Sequence, residues 1–228
     1  MRFSAKRTAF VLIFALGTCV LGMLPATAAD ADLPSYKPPP RGAPSGRAGA
    51  GTRGIVPPPR IWAFAPDHIG LTTREQPSLY WYAAKSETAR VELVAVGAQG
   101  VKVLLGENVA APASPRVMSI DLARYGIRLQ PGIEYRWTVA LESEPRQGSN
   151  SAGIERIAPS PELTTRLEAT PRTRRPAVYA EEGIWYDAIG SLGELIEQSP
   201  ADTSLRMHRA ALLEQIGLKA AAAADIQR

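Results

Sequence analysis

Across residues 61–158 the apolar positions recur every second residue. Ile133, Tyr135, Trp137, Val139 and Leu141 fall on one side of an extended chain, with Glu134, Arg136, Thr138, Ala140 and Glu142 on the other. A period of two marks a strand with one buried face. The same alternation runs through Leu79 and Trp81 against Tyr80 and Tyr82, and through Val91, Leu93 and Ala95. It returns at Val101, Val103 and Leu105, and at Met118, Ile120 and Leu122. Turn formers separate the runs: Gly97 and Gly100, then Gly106-Glu107-Asn108, then Pro131-Gly132 in the order of a type II turn. Short strands at this spacing predict an antiparallel β-sandwich.

Beyond Pro159 the period becomes 3.6. Ser160-Pro161-Glu162 reads as a helix start, with a capping hydroxyl, proline in the first turn and an early acid. A second helix can run from Pro176 to Glu182, where Gly183 breaks it. Trp185, Ala188, Ile189, Leu192, Leu195 and Ile196 make the stripe of a longer helix that ends at Pro200. Asp202 can cap another through Leu205, Leu212, Leu213 and Ile216, stopped by Gly217. The expected class is therefore α+β, with a sandwich over residues 61–158 and helical hairpins over residues 159–228.

The start of the chain obeys neither period. Arg2, Lys6 and Arg7 precede an apolar run over residues 9–24, and Pro25 leads to the small-residue site Ala26-Thr27-Ala28. That order is the pattern of a signal peptide over residues 1–28. Two rivals are an uncleaved anchor, for which the run is short, and lipidation at Cys19, for which Thr18 is the wrong neighbour. Residues 29–60 are rich in proline and glycine, notably Lys37-Pro38-Pro39-Pro40-Arg41 and Val56-Pro57-Pro58-Pro59. With almost no apolar side chain to offset the ordering entropy, the segment reads as a disordered linker.

Charge and chemistry narrow the function. Removal of residues 1–28 takes three basic residues and the only cysteine, and leaves 23 basic against 22 acidic side chains. No folded region is strongly basic, so nucleic-acid binding is not expected. A mature chain without cysteine or a membrane-spanning helix fits the bacterial periplasm or cell surface. With two histidines, His68 and His208, it carries no metal signature, and no catalytic or cofactor-binding residue stands out. Asp67 and His68 are adjacent but have no evident nucleophile to serve. Glu181, Glu182 and Asp187 flank Trp185 and Tyr186, an arrangement that a glycosidase could use. Acids are equally expected near a helix start.

Three resemblances bear on this. Leu129-Gln130-Pro131-Gly132-Ile133-Glu134-Tyr135 resembles the tyrosine corner of fibronectin- and immunoglobulin-like sandwiches. Gly183, Ala188, Leu195, Pro200, Ala210 and Gly217 resemble the spacing of tetratricopeptide hairpins, with Gly183 and Gly217 one repeat apart. Finally, His68-Ile69-Gly70-Leu71-Thr72, Leu79-Tyr80-Trp81-Tyr82, Pro131-Gly132-Ile133-Glu134-Tyr135-Arg136-Trp137 and Tyr179-Ala180-Glu181-Glu182-Gly183-Ile184-Trp185-Tyr186-Asp187-Ala188 occur in that order, after Lys37-Pro38-Pro39-Pro40-Arg41-Gly42-Ala43-Pro44 and Gly51-Thr52-Arg53-Gly54. Together they resemble domain of unknown function 928, a group of exported bacterial proteins, a resemblance that implies membership and no activity.

The expected role is a non-enzymatic interaction or scaffold protein of the envelope, partnered by another envelope protein. Tyr179, Tyr186 and His208, beside the Trp185 stripe, are the candidate contacts for that partner. The alternative is a carbohydrate- or cell-wall-binding module that stacks sugars on an exposed face carrying Tyr80 and Tyr82. An unrecognised hydrolase is a third reading.

Overall fold

The computed structural model describes residues 33–39, 60–84, 86–97, 100–110, 112–143 and 150–227. The expected signal peptide, Cys19 and most of the proline- and glycine-rich segment lie outside the described residues. Within the compact unit Asp32–Arg228, the described residues form two sheets followed by five α-helices. The strands are β1 (Ile61–Ala63), β2 (Gly70–Thr72), β3 (Ser78–Ala83), β4 (Ala89–Gly97), β5 (Gly100–Val109), β6 (Arg116–Asp121), β7 (Glu134–Leu141) and β8 (Asn150–Arg156). The helices are α1 (Pro161–Ala169), α2 (Arg175–Glu181), α3 (Trp185–Gln198), α4 (Thr203–Gln215) and α5 (Lys219–Ile226).

The smaller sheet has the order β1-β3-β6 and the larger β2-β8-β7-β4-β5. Trp81 of β3, Leu93 of β4 and Trp137 of β7 are fully buried in one core fed by both sheets and by α3, α4 and α5. The alternation of β7 holds for Tyr135, Trp137, Val139 and Leu141, which are buried, but Ile133, read on the same face, lies before the strand and is 40% exposed, and Ala140, read on the outer face, is buried. The Tyr135 hydroxyl accepts the Gln130 N–H at 2.8 Å, so the loop before β7 is tied to the strand that follows it.

Two expectations about the sheets need correction. The larger sheet is mixed, because β2 runs parallel to β8, whereas a purely antiparallel arrangement was expected. A long connection separates the two strands in sequence, which is what parallel pairing requires. β8 itself lies beyond the last alternating run read in the sequence, which ends at Leu141. Its Ala152 and Gly153 are buried but too small to mark a face. Gly153 is closely packed: a Cβ there would lie 3.1 Å from Ile69 Cγ1, a tight contact that Ile69 would have to ease.

The helix starts follow their capping residues. Ser160 Oγ accepts Leu163 N–H at 3.1 Å, and Asp202 Oδ1 accepts Ser204 N–H at 3.0 Å. Gly183 and Gly217, at φ of 73° and 84°, take the left-handed turns that follow α2 and α4. The Trp185 stripe of α3 faces the strands. Trp185 Nε1 donates to Phe64 O at 2.8 Å, and Gly193 allows the Tyr80 ring and hydroxyl to press against the helix backbone. Arg209 and Asp225 join α4 to α5 in a bidentate pair at 2.7 Å, and the Arg209 guanidinium lies 5.9 Å from the Phe64 ring centre.

Residues 33–39 depart from the disordered linker expected of residues 29–60. They form a strap on the helices. Lys37 N–H donates to Ala180 O at 3.1 Å, and Tyr36 N–H to Gln215 Oε1 at 2.7 Å, while Gln215 Nε2 donates to Pro34 O at 2.9 Å. The Tyr36 ring packs edge-on to Trp185, with centres 4.9 Å apart. One aromatic residue and three backbone bonds supply what the segment's composition lacked.

Candidate functional site

The polar chemistry of the sequence converges where the loop after β2 meets α3. Asp187 sits in the first turn of α3, where a negative charge complements the helix dipole. Its carboxylate is fully buried and accepts from both Thr72 and Thr73 hydroxyls and from Thr73 N–H at 3.0 Å. Burial raises its pKa above the usual aspartate value, against the lowering effect of those threonine bonds and of Arg74. Thr72 Oγ1 also accepts Arg74 N–H at 3.1 Å. The Arg74 guanidinium reaches Glu194, in an ion pair, and Ser191 Oγ at 3.1 Å. The Asp187 carboxylate and the Arg74 guanidinium are thus both engaged within the cluster. It fastens α3 to the sheet.

The aromatic residues singled out in the sequence are fastened in the same way. Tyr186, expected beside a partner groove, is 2% exposed. Its hydroxyl donates to Gly153 O at 2.9 Å and accepts Trp137 Nε1–H at 2.9 Å. Burial raises its pKa. Tyr80 and Tyr82, expected on an exposed sugar-stacking face, are 6% and 8% exposed. Alternation does place them opposite Trp81, but α3 covers Tyr80, and Tyr82 tilts against Trp62 with ring centres 5.7 Å apart. Burial pushes the Tyr80 pKa up to about 12. A sheet face read as solvent-facing is therefore partly the floor under a helix.

Tyr179 and His208 are half-buried. Tyr179 packs beside Leu163, Val178 and Ile184, and His208 lies on α4 near Asp202. Among the described residues no hydrogen bond or ring contact joins Tyr179, Tyr186 and His208. His68 stacks on Tyr36 at 5.9 Å, with Nε2 3.1 Å from the Tyr36 hydroxyl and Nδ1 3.0 Å from Ile69 O. A carbonyl only accepts, so Nδ1 carries the proton and Nε2 accepts from Tyr36. The histidine thus braces the strap. Glu181 and Glu182 both pair with Arg166 of α1. Among the described residues no group of three or more His, Cys, Asp or Glu is placed to hold a metal ion, and no helix is long and apolar enough to cross a membrane.

The open chemistry lies elsewhere, at the far end of the β4–β5 hairpin. β5 ends the larger sheet, and its main contacts are with β4. Opposite Leu93 the pairing slips by one residue: Leu93 faces Leu105, but Val94 faces Val103. This bulge leaves Leu104 unmatched and reverses the faces of everything beyond it. Leu105 stays in the core, while Val101 and Val103 turn to the outer face and are 61% and 66% exposed. Val96 and Val94, their cross-strand partners, complete an apolar patch bordered on β7 by Glu134 and Arg136. The sequence pattern grouped Val101 and Val103 with Leu105 as one face. The only signal of a change was the unbroken run Val103-Leu104-Leu105, which a strict alternation cannot contain.

A search of curated proteins returned no match. The model of the family Domain of Unknown Function (DUF928) matches residues 48–226, a span that holds both sheets and all five helices. The chain belongs to that family.

Proposed function

We propose that this is an exported, non-enzymatic interaction protein of the bacterial cell envelope, and that its contact surface is the outer face and edge of the β4–β5 hairpin. The observation that carries the reading is the pair of valines, Val101 and Val103, with most of their side-chain surface in water. Exposed apolar patches on a sheet edge are where strands and partner surfaces dock. The remaining chemistry supports the same view by being occupied: Asp187 serves the threonines, and Glu181 and Glu182 serve Arg166.

The finer fold belongs to this proposal. The bond from Gln130 to Tyr135 supports a fibronectin- or immunoglobulin-like sandwich. Left-handed glycines at 183 and 217, each after the first helix of a hairpin, support a tetratricopeptide-like repeat in the helices. Both scaffolds present surfaces more often than active sites, which is an argument by analogy.

The test is crosslinked capture from intact cells with the wild-type chain and with Val101→Ser/Val103→Ser, followed by identification of what is bound. Specific capture that the double variant loses, at equal expression and equal melting temperature, is the expected result. Equal capture by both would overturn the reading.

A further inference from the structure

Strand β5 carries a charge pattern that is complementary to itself. Lys102 is exposed, Glu107 is half-exposed, and neither forms an ion pair among the described residues. Counting along an ordinary strand, positions five apart point to opposite faces. The bulge at Leu104 changes that. Lys102 pairs with Ala95 and Glu107 with Val91, both inward-facing positions of β4, so the lysine and the glutamate share one face of β5. We propose that the partner at this edge is a second copy of the chain, joined β5 to β5 in antiparallel register about a two-fold axis between Leu104 and Leu105. The proposal rests on the reading of the hairpin as the contact surface and names its occupant.

In that register Lys102 lies opposite Glu107 of the second copy, and Glu107 opposite its Lys102. One two-fold axis therefore makes two ion pairs, the self-complementarity that a symmetric interface demands. The faces agree at every step. Val103 and Gly106, which would oppose each other, both belong to the outer face, being paired with Val94 and Glu92 of β4. Val101 and Asn108, paired with Val96 and Arg90, also belong to it. Leu104 meets Leu105 at the axis, bulge against bulge. A lysine on an edge strand normally discourages strand addition. Here it discourages every register that lacks a facing acid, and so selects this one. On the outer face, Val103 and Val101 of each copy then lie beside Gly106 and Asn108 of the other.

The test is light scattering and sedimentation equilibrium on the purified chain over a wide concentration range. The wild-type chain should dimerise, more weakly as salt rises. Lys102→Glu and Glu107→Lys should each weaken self-association by about tenfold or more, because each places like charges opposite one another twice. The double variant Lys102→Glu/Glu107→Lys should dimerise again. An equimolar mixture of the two single variants should form heterodimers, since one then presents only acids at these positions and the other only bases. That mixing experiment also reports that both variants are folded. A wild-type chain that stays monomeric throughout, or single variants that associate as the wild type does, would overturn the proposal. A monomeric chain that still loses envelope capture on Val101→Ser/Val103→Ser would sink the dimer and leave the contact surface standing. Unchanged capture would sink both.

Discussion

Trp185 on α3 is fully buried, while Val103 on β5 leaves 66% of its surface in water. Both are apolar residues at regular positions of well-formed elements, yet their neighbourhoods differ in kind. Around α3, side chains from several elements meet: Phe64 O takes the Trp185 indole, Gly153 O takes the Tyr186 hydroxyl, and the Thr72-Thr73 pair takes Asp187. At the tip of the hairpin, β5 meets β4, and among the described residues no strand pairs with its other side. The polar groups at the α3 junction are used up in building the molecule. At the hairpin edge Asn108 accepts from Arg90, but Lys102 and Glu107 form no ion pair among the described residues, and that contrast is why interaction is assigned to the edge rather than to the aromatic residues.

The contrast would break most visibly at Trp185. Trp185→Ala should cost about 3–5 kcal/mol, the range for emptying a large buried aromatic site. It would also strand the Phe64 carbonyl and remove the ring against which Tyr36 packs. Denaturant unfolding measures the loss, and limited proteolysis should show the strap at residues 33–39 released at the same time. A change under about 1 kcal/mol would mean that α3 does not seal the core, because surface sites alone behave so mildly.

How much of this contrast could be read in advance differs by residue. The face of β7 was legible because Tyr135, Trp137, Val139 and Leu141 are bulky, evenly spaced and all buried. The caps Ser160 and Asp202 were legible because capping is local chemistry. Strand β8 was not, since its Ala152 and Gly153 are too small to mark a face, and Gly153 packs on Ile69 and accepts from Tyr186, both far off in sequence. Tyr80 was assigned to the right face and the wrong environment. Period two says which way a side chain points, and only α3 decides whether anything covers it. The same limit applies to Tyr36, whose backbone partner Gln215 is 179 residues away. The candidate site was the least legible part. One unmatched residue in β5 moved Val101 and Val103 across the sheet, and a bulge has little signature beyond three apolar residues in a row.

A second prediction sharpens the comparison at Asp187. Its pKa is raised, chiefly by burial, so the native state holds this proton to higher pH than the unfolded chain does. The sign follows from linkage: this contribution to stability is complete below the ordinary aspartate value and is lost as pH rises through the raised one. Asp187→Asn keeps the shape and an acceptor for Thr73 N–H but cannot ionise. It should change stability by about 1–2 kcal/mol and abolish that share of the pH dependence. Thermal melts of both forms from about pH 4 upward should therefore differ by an amount that varies with pH, the wild type losing ground to the variant as pH rises. A constant difference would show that Asp187 keeps an ordinary pKa, and hence that the junction is wetter than its geometry implies.

The smallest effect is expected at the hairpin and is the sharpest form of the comparison, because one substitution can be made on both sides of it. Valine and threonine have nearly the same shape and both suit strands, so the exchange mainly adds a hydroxyl. Val91 on β4 is fully buried and paired with Glu107, and Val103 on β5 is mostly exposed and paired with Val94. Val91→Thr buries a hydroxyl in an apolar core and should cost about 1–3 kcal/mol. Val103→Thr places the same hydroxyl in water and should fall within about 0.5 kcal/mol of the wild type. Chemical denaturation of the two variants at a concentration low enough to keep the chain monomeric reads both values. Raising the concentration should then expose a difference at residue 103 that dilution hides, since the outer valines matter only once a second β5 strand lies beside them. If Val103→Thr is as costly as Val91→Thr in the dilute chain, Val103 is covered within one copy, and the open edge that carries the functional assignment does not exist.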